Sequence, residues 1–171
     1  LSLRRQRQMC IRDRDIINLM KNFKSEIRFI EYMDVGESNK WDPSKVVSSE
    51  SLLESINEHY SLKQMKTETS STAKKWHIKD SNSSIGLISS ITQPFCSSCN
   101  RARLSVDGKL FTCLFASNGF DIKSVIRSDD YEEKLLEFFK KIWMERSDQY
   151  SQIRFSSKRD LPKVEMSYIG G

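Results

Sequence analysis

Hydrophobic and polar positions along this chain alternate between a helical and an extended period. Ile16, Ile17, Leu19 and Met20 recur at helical spacing within residues 15–23 and predict the end of a helix. Residues 27–33 then alternate as a strand, with Ile27, Phe29, Glu31 and Met33 on one face and Arg28, Ile30 and Tyr32 on the other. Large side chains on both faces suit an α/β layer covered on two sides. Within that strand Glu31 and Arg28 read equally as members of satisfied ion pairs or as groups facing a ligand.

Residues 34–40 form a polar loop closed by Trp41-Asp42-Pro43. Ser48 or Ser49 caps a helix reaching about Tyr60, with Leu52, Leu53, Ile56 and Tyr60 on its apolar side. A short strand at 62–65, a polar linker at 66–72 and two strands at 76–78 and 86–91 around a polar turn follow. Residues 104–106 and 110–113 flank Asp107-Gly108, a tight-turn pair, and predict a hairpin within a small antiparallel sheet. Residues 119–127 read as a short helix and 129–146 as a longer one, buried along Tyr131, Leu135, Phe138, Ile142 and Trp143. Residues 153–161 are irregular and basic. The last stretch ends in Gly170-Gly171, which can thread where side chains cannot, with Tyr168 and Ile169 as apolar anchors before them.

Composition changes this picture only at the start. Hydrophobic residues make up 37% of the 171 and charged residues 30%, with no apolar run of membrane-spanning length. Met9-Cys10-Ile11-Arg12-Asp13-Arg14 looks like the translation of a library adapter, so residues 1–14 are set apart as adapter-derived or non-native. Those residues carry five arginines and one aspartate, and without them the formal charge falls from +5 to +1. A near-neutral remainder argues against a nucleic-acid partner or an anionic membrane. Setting Cys10 aside leaves three cysteines, an odd and clustered set that points to a reducing compartment and away from a disulfide scaffold.

Those three are Cys96, Cys99 and Cys113, with two residues between the first pair and thirteen before the third. A Cys-x-x-Cys turn can present both sulfurs to one metal, and the hairpin would fold Cys113 back toward them. Three thiolates fit an iron–sulfur cubane with one open iron; zinc with His77 as fourth ligand is the alternative. Buried apolar thiols or a redox pair are the plainer readings. Arg101 and Arg103 directly follow the second cysteine and favour an anionic small molecule.

The segments IRFIEYMDVG at 27–36, FCSSCNRARL at 95–104, DGKLFTCLF at 107–115 and MSYIGG at 166–171 closely resemble the radical S-adenosylmethionine GTP 3′,8-cyclases of molybdenum cofactor biosynthesis. The resemblance spans residues 15–171 and matches the carboxyl-terminal half of that family. It implies an α/β fold: the last part of an incomplete TIM-like barrel at 15–47, then a region at 48–171 with a small antiparallel-sheet [4Fe–4S] layer and helices. Under it Cys96, Cys99 and Cys113 ligate the carboxyl-terminal cluster. Arg101, Ala102, Arg103 and Arg28 lie against GTP, Met33 contacts S-adenosylmethionine, and Gly170 and Gly171 reach the active site as catalytic elements.

The family reaction uses a second [4Fe–4S] cluster and S-adenosylmethionine to make a 5′-deoxyadenosyl radical, which takes hydrogen from C3′ of GTP so that C3′ attacks C8. The motif for that cluster is absent here, which reads as a truncated chain, inactive alone. The resemblance further implies an electron donor, hand-off to cyclic pyranopterin monophosphate synthase and a cytoplasmic location, and it allows a homodimer. A non-catalytic zinc or iron–sulfur module binding a nucleotide or partner is the alternative function.

Overall fold

The computed structural model describes residues 12–153 and 163–169. They divide into two compact units, one built from residues 12–33 and 42–95, the other from 34–41 and 96 onward.

The first unit begins with a helix over residues 12–20 (α1), so the helical stripe starts earlier than its pattern predicts. Only Ile17 of that stripe is fully buried, with Met20 packed beside it, while Ile16 and Leu19 remain exposed. Strands β1 (Glu26–Ile30), β2 (Leu62–Gln64), β3 (Lys74–Ile78) and β4 (Ser84–Ile88) form one sheet in the order β1-β4-β3-β2. β1 runs parallel to β4, with Ile27 opposite Ile85 and Phe29 opposite Leu87, whereas β3 is antiparallel to both its neighbours. The first strand therefore stops at Ile30, three residues short of the alternation that predicted it. The Glu31 amide still bonds the Ile88 carbonyl at 3.2 Å, while its side chain reaches other backbone groups.

Helix α2 (Ser49–Asn57) covers the sheet. Ser48 is its cap, its hydroxyl accepting the Ser51 amide at 3.1 Å, a contact that stabilises a helix by about 1 kcal/mol. Ile17, Ile27, Ile56, Ile78, Ile85 and Leu87 form the core, joined by Trp76, Phe29 and Leu62. Each fully buried aliphatic side chain contributes roughly 1.5–3 kcal/mol. The opposite face of the sheet carries charged groups.

In the second unit a three-stranded antiparallel sheet is made by β5 (Arg103–Leu104), β6 (Lys109–Phe111) and β7 (Phe120–Asp121). Gly108 takes the left-handed backbone at φ +79° and returns its amide to the Ser105 carbonyl at 3.0 Å, closing the hairpin expected at Asp107-Gly108. β7 was not legible in the sequence because two residues cannot show a period of two. Helices α3 (Lys123–Ile126), α4 (Tyr131–Met144) and α5 (Tyr150–Ile153) follow. Successive residues of β6 point to opposite faces, so Leu110 packs with Ile122, Phe138 and Ile142, and Phe111 with Ala116, Ile169 and Val164. The α4 stripe is narrower than predicted: Tyr131 and Trp143 are exposed.

The result is a mixed α/β fold with two open sheets. Among the described residues neither sheet closes into a barrel, and β1 lies at an edge of its sheet. The readings at residues 1–11, 154–162 and Gly170-Gly171 lie outside the described residues.

Candidate functional site

The cysteine segment opens with a 3-10 turn at Cys96–Ser98, in which the Cys99 amide bonds the Cys96 carbonyl at 3.2 Å. An extended stretch leads from it into β5. Burial alternates along that stretch, placing Arg101, Arg103 and Ser105 on the inner side and Ala102, Leu104 and Val106 outward. The two arginines thus share a side, as two-residue spacing on a non-helical backbone requires, and Ala102 does not join them.

The sulfurs of Cys99 and Cys113 meet different environments. The Arg101 guanidinium donates from Nη2 to Cys99 Sγ at 3.1 Å. Arg146, at the end of α4, donates from Nη1 to the Cys99 carbonyl at 2.7 Å and from Nε to Asp148 at 2.9 Å, and lies 4.9 Å from the Trp143 ring centre. Burial pushes the Cys99 thiol up, but the Arg101 amide and the Arg146 and Arg101 guanidinium groups outweigh it, and the net shift is downward. Cys113 sits deeper, and burial raises its thiol to about 11 despite the Phe115 amide aimed at its sulfur.

The arrangement of the side chains corrects the cofactor expectation. Among the described residues no group of three or more His, Cys, Asp or Glu side chains is arranged to hold a metal ion. The expected [4Fe–4S] cluster, with the second cluster and S-adenosylmethionine that accompanied it, and the zinc alternative find no such ligand group among the described residues. His77 lies in β3 of the first unit, opposite Ser84 and Lys63, and joins no such group. Spacing along a chain permits convergence; burial and side-chain partners decide whether it occurs.

Arg28 and Met33 belong to the first unit. Arg28 projects from β1 and pairs through Nε with Glu26 at 2.5 Å. Met33 is half-buried just beyond the strand. Gly170 and Gly171 lie outside the described residues, but the segment before them is firmly placed in the second unit. Ile169 is fully buried, and Tyr168 donates to Asp107 at 2.7 Å and meets Phe111 edge-on at 6.2 Å between ring centres.

Three residues take structural roles that their sequence positions did not predict. Glu31 accepts the amides of Ser49 and Ile91 at 2.8 Å, the Thr92 amide at 2.9 Å and the Thr92 hydroxyl at 2.6 Å. Its partners are backbone donors and one hydroxyl, neither the ion pair nor the ligand expected. Glu165 receives the amides of Glu37 and Ser38 at 2.8 and 3.1 Å. Arg146 is the third, and only its place at the end of a charged helix was visible beforehand. No helix among the described residues is long and apolar enough to cross a membrane.

Residues 25–152 match the protein family described as Molybdenum Cofactor Synthesis C. The chain is also similar to the GTP 3′,8-cyclases of Staphylococcus aureus strains JH9, Newman and Mu3, each 44% identical over 172 residues. The match covers 96% of this chain and 51% of each relative, so the chain spans about half the length of the curated relatives it matches. A family match across well over half of its residues, together with this identity, places the chain in the Molybdenum Cofactor Synthesis C family.

Proposed function

We propose that this chain supplies the guanine-nucleotide-binding portion of a GTP 3′,8-cyclase. That enzyme joins C3′ of the ribose of GTP to C8 of its guanine, giving (8S)-3′,8-cyclo-7,8-dihydroguanosine 5′-triphosphate for molybdopterin cofactor biosynthesis. The next enzyme, cyclic pyranopterin monophosphate synthase, would consume that product. The observation that carries the reading is 44% identity over 96% of the chain to enzymes of that name.

Physical chemistry assigns the binding roles. Arg101 and Arg103 lie on one side of an extended stretch, and a guanidinium fork matches two acceptors at once, whether phosphate oxygens or the O6 and N7 edge of guanine. Arg28, half exposed on the charged face of the first sheet, offers a guanidinium fork of the same kind to phosphate oxygens. Ala102 leaves its neighbourhood open.

Calorimetric GTP binding by the full-length protein tests this. Arg101→Ala and Arg103→Ala should each weaken GTP at least tenfold while the melting temperature holds, because each removes a charge-assisted contact. Wild-type affinity in both variants would refute the assignment.

A further inference from the structure

We infer that Lys75 binds the nucleotide's polyphosphate together with Arg28, the two cations forming one anion-binding row across the charged face of the first sheet. This extends the GTP reading above and rests on it.

β1, β4 and β3 are consecutive neighbours in the sheet, and their register sets Arg28 beside Gly86 and Gly86 beside Lys75. Residues opposite one another on adjacent strands share a face, so the two cations flank a position without a side chain. Two strand spacings separate their α-carbons, about 10 Å, a distance that both long side chains can close. A β-carbon on Gly86 would meet Arg28 Cγ, Glu26 Oε1 and the Ala73 β-carbon, each at 3.3 Å. The missing side chain is therefore what lets the Arg28 stem lie across β4 toward Lys75.

Glu26 already shows how this pair grips an oxyanion. Its Oε1 takes Arg28 Nε at 2.5 Å and its Oε2 takes Lys75 Nζ at 2.6 Å. Two positive charges face one negative charge, and Glu26 is the only carboxylate that the four strands place on this face among the described residues. Nε is one of five N–H donors on the guanidinium, and the ammonium has three, so both groups keep donors for a second oxyanion arriving from solvent. The side chains are open to it, 53% exposed for Arg28 and 30% for Lys75. A phosphate chain, with several oxygens and more than one charge, fits two cations that one carboxylate cannot neutralise.

The test is calorimetry on the full-length protein with GTP, guanosine and inorganic tripolyphosphate as probes. Lys75→Met and Arg28→Met should each weaken GTP and tripolyphosphate about tenfold and leave guanosine unchanged, while Lys75→Arg retains near wild-type affinity. If Arg28→Met weakens GTP and Lys75→Met does not, the role of Lys75 is overturned and the GTP reading stands. Equal weakening of GTP and guanosine by Lys75→Met would make the lysine structural and also overturn the inference. A wild-type protein that binds no GTP removes both.

Discussion

The Glu165 carboxylate fills the space in which a β-carbon on Gly36 would sit. Gly36 adopts φ +71°, and the turn it permits aims the amides of Glu37 and Ser38 at that carboxylate, with the Ser38 hydroxyl adding a third donor at 3.1 Å. Alanine at position 36 would both collide with Glu165 and take a backbone costing about 1–2 kcal/mol for an L-residue. Gly36→Ala is expected to lower stability by at least that amount and to speed amide exchange across residues 163–169. Unchanged exchange in that segment would show that the carboxylate does not hold it.

Glu31 is 4% exposed and is surrounded by donors. Burial pushes its pKa up, but the Thr92 hydroxyl and the Thr92, Ser49 and Ile91 amides outweigh that and lower it from the ordinary 4.5. A carboxyl with a lowered folded-state pKa stabilises the fold above its unfolded value, and the benefit is lost as pH falls through the folded value. Glu31→Gln should be less stable than wild type at pH 7 by about 2 kcal/mol. Urea unfolding should show that gap narrowing below about pH 4.5; a gap constant down to pH 3 would contradict the hydrogen-bond account.

Arg146 and Asp148 are a largely buried ion pair, 10% and 13% exposed. Removing one member strands the other's charge, at a cost of about 3–5 kcal/mol. Arg146→Met alone should therefore destabilise the chain by that order and loosen the turn at Cys99, whose carbonyl it holds. The double variant Arg146→Met/Asp148→Leu should recover most of the loss in thermal unfolding. A double variant as unstable as the sum of the singles would place the cost in packing rather than charge.

Asp107 reports on the tail. The Ser105 hydroxyl and the Tyr168 hydroxyl hold its carboxyl at about 2, against an ordinary 3.8. Tyr168→Phe should shift that titration upward while Ser105 keeps part of the effect, measured by carboxyl chemical shift against pH. An unmoved midpoint would mean that Tyr168 does not reach Asp107 in solution.

Much of the local structure was legible because it is written in near neighbours. Asp107-Gly108 specifies a hairpin since glycine tolerates the positive φ the turn demands, and Ser48 specifies a helix start since its hydroxyl reaches an amide three residues on. The two-residue spacing of Arg101 and Arg103 likewise sufficed to put them on one side. What only tertiary structure decided involves partners far apart in sequence. β1 chose β4 across more than fifty residues, and that register alone brings Arg28 level with Lys75. The Glu31 carboxylate collects four donors from Ser49, Ile91 and Thr92, a convergence no alternation pattern records. The cysteines show the same division. Cys-x-x-Cys sets how closely two sulfurs can approach, but only the fold gives Cys99 its Arg101 and Arg146 partners and buries Cys113. Short-range patterns follow from backbone geometry, which each residue carries with it; convergence depends on long-range contacts, whose energies compete only once the chain has folded.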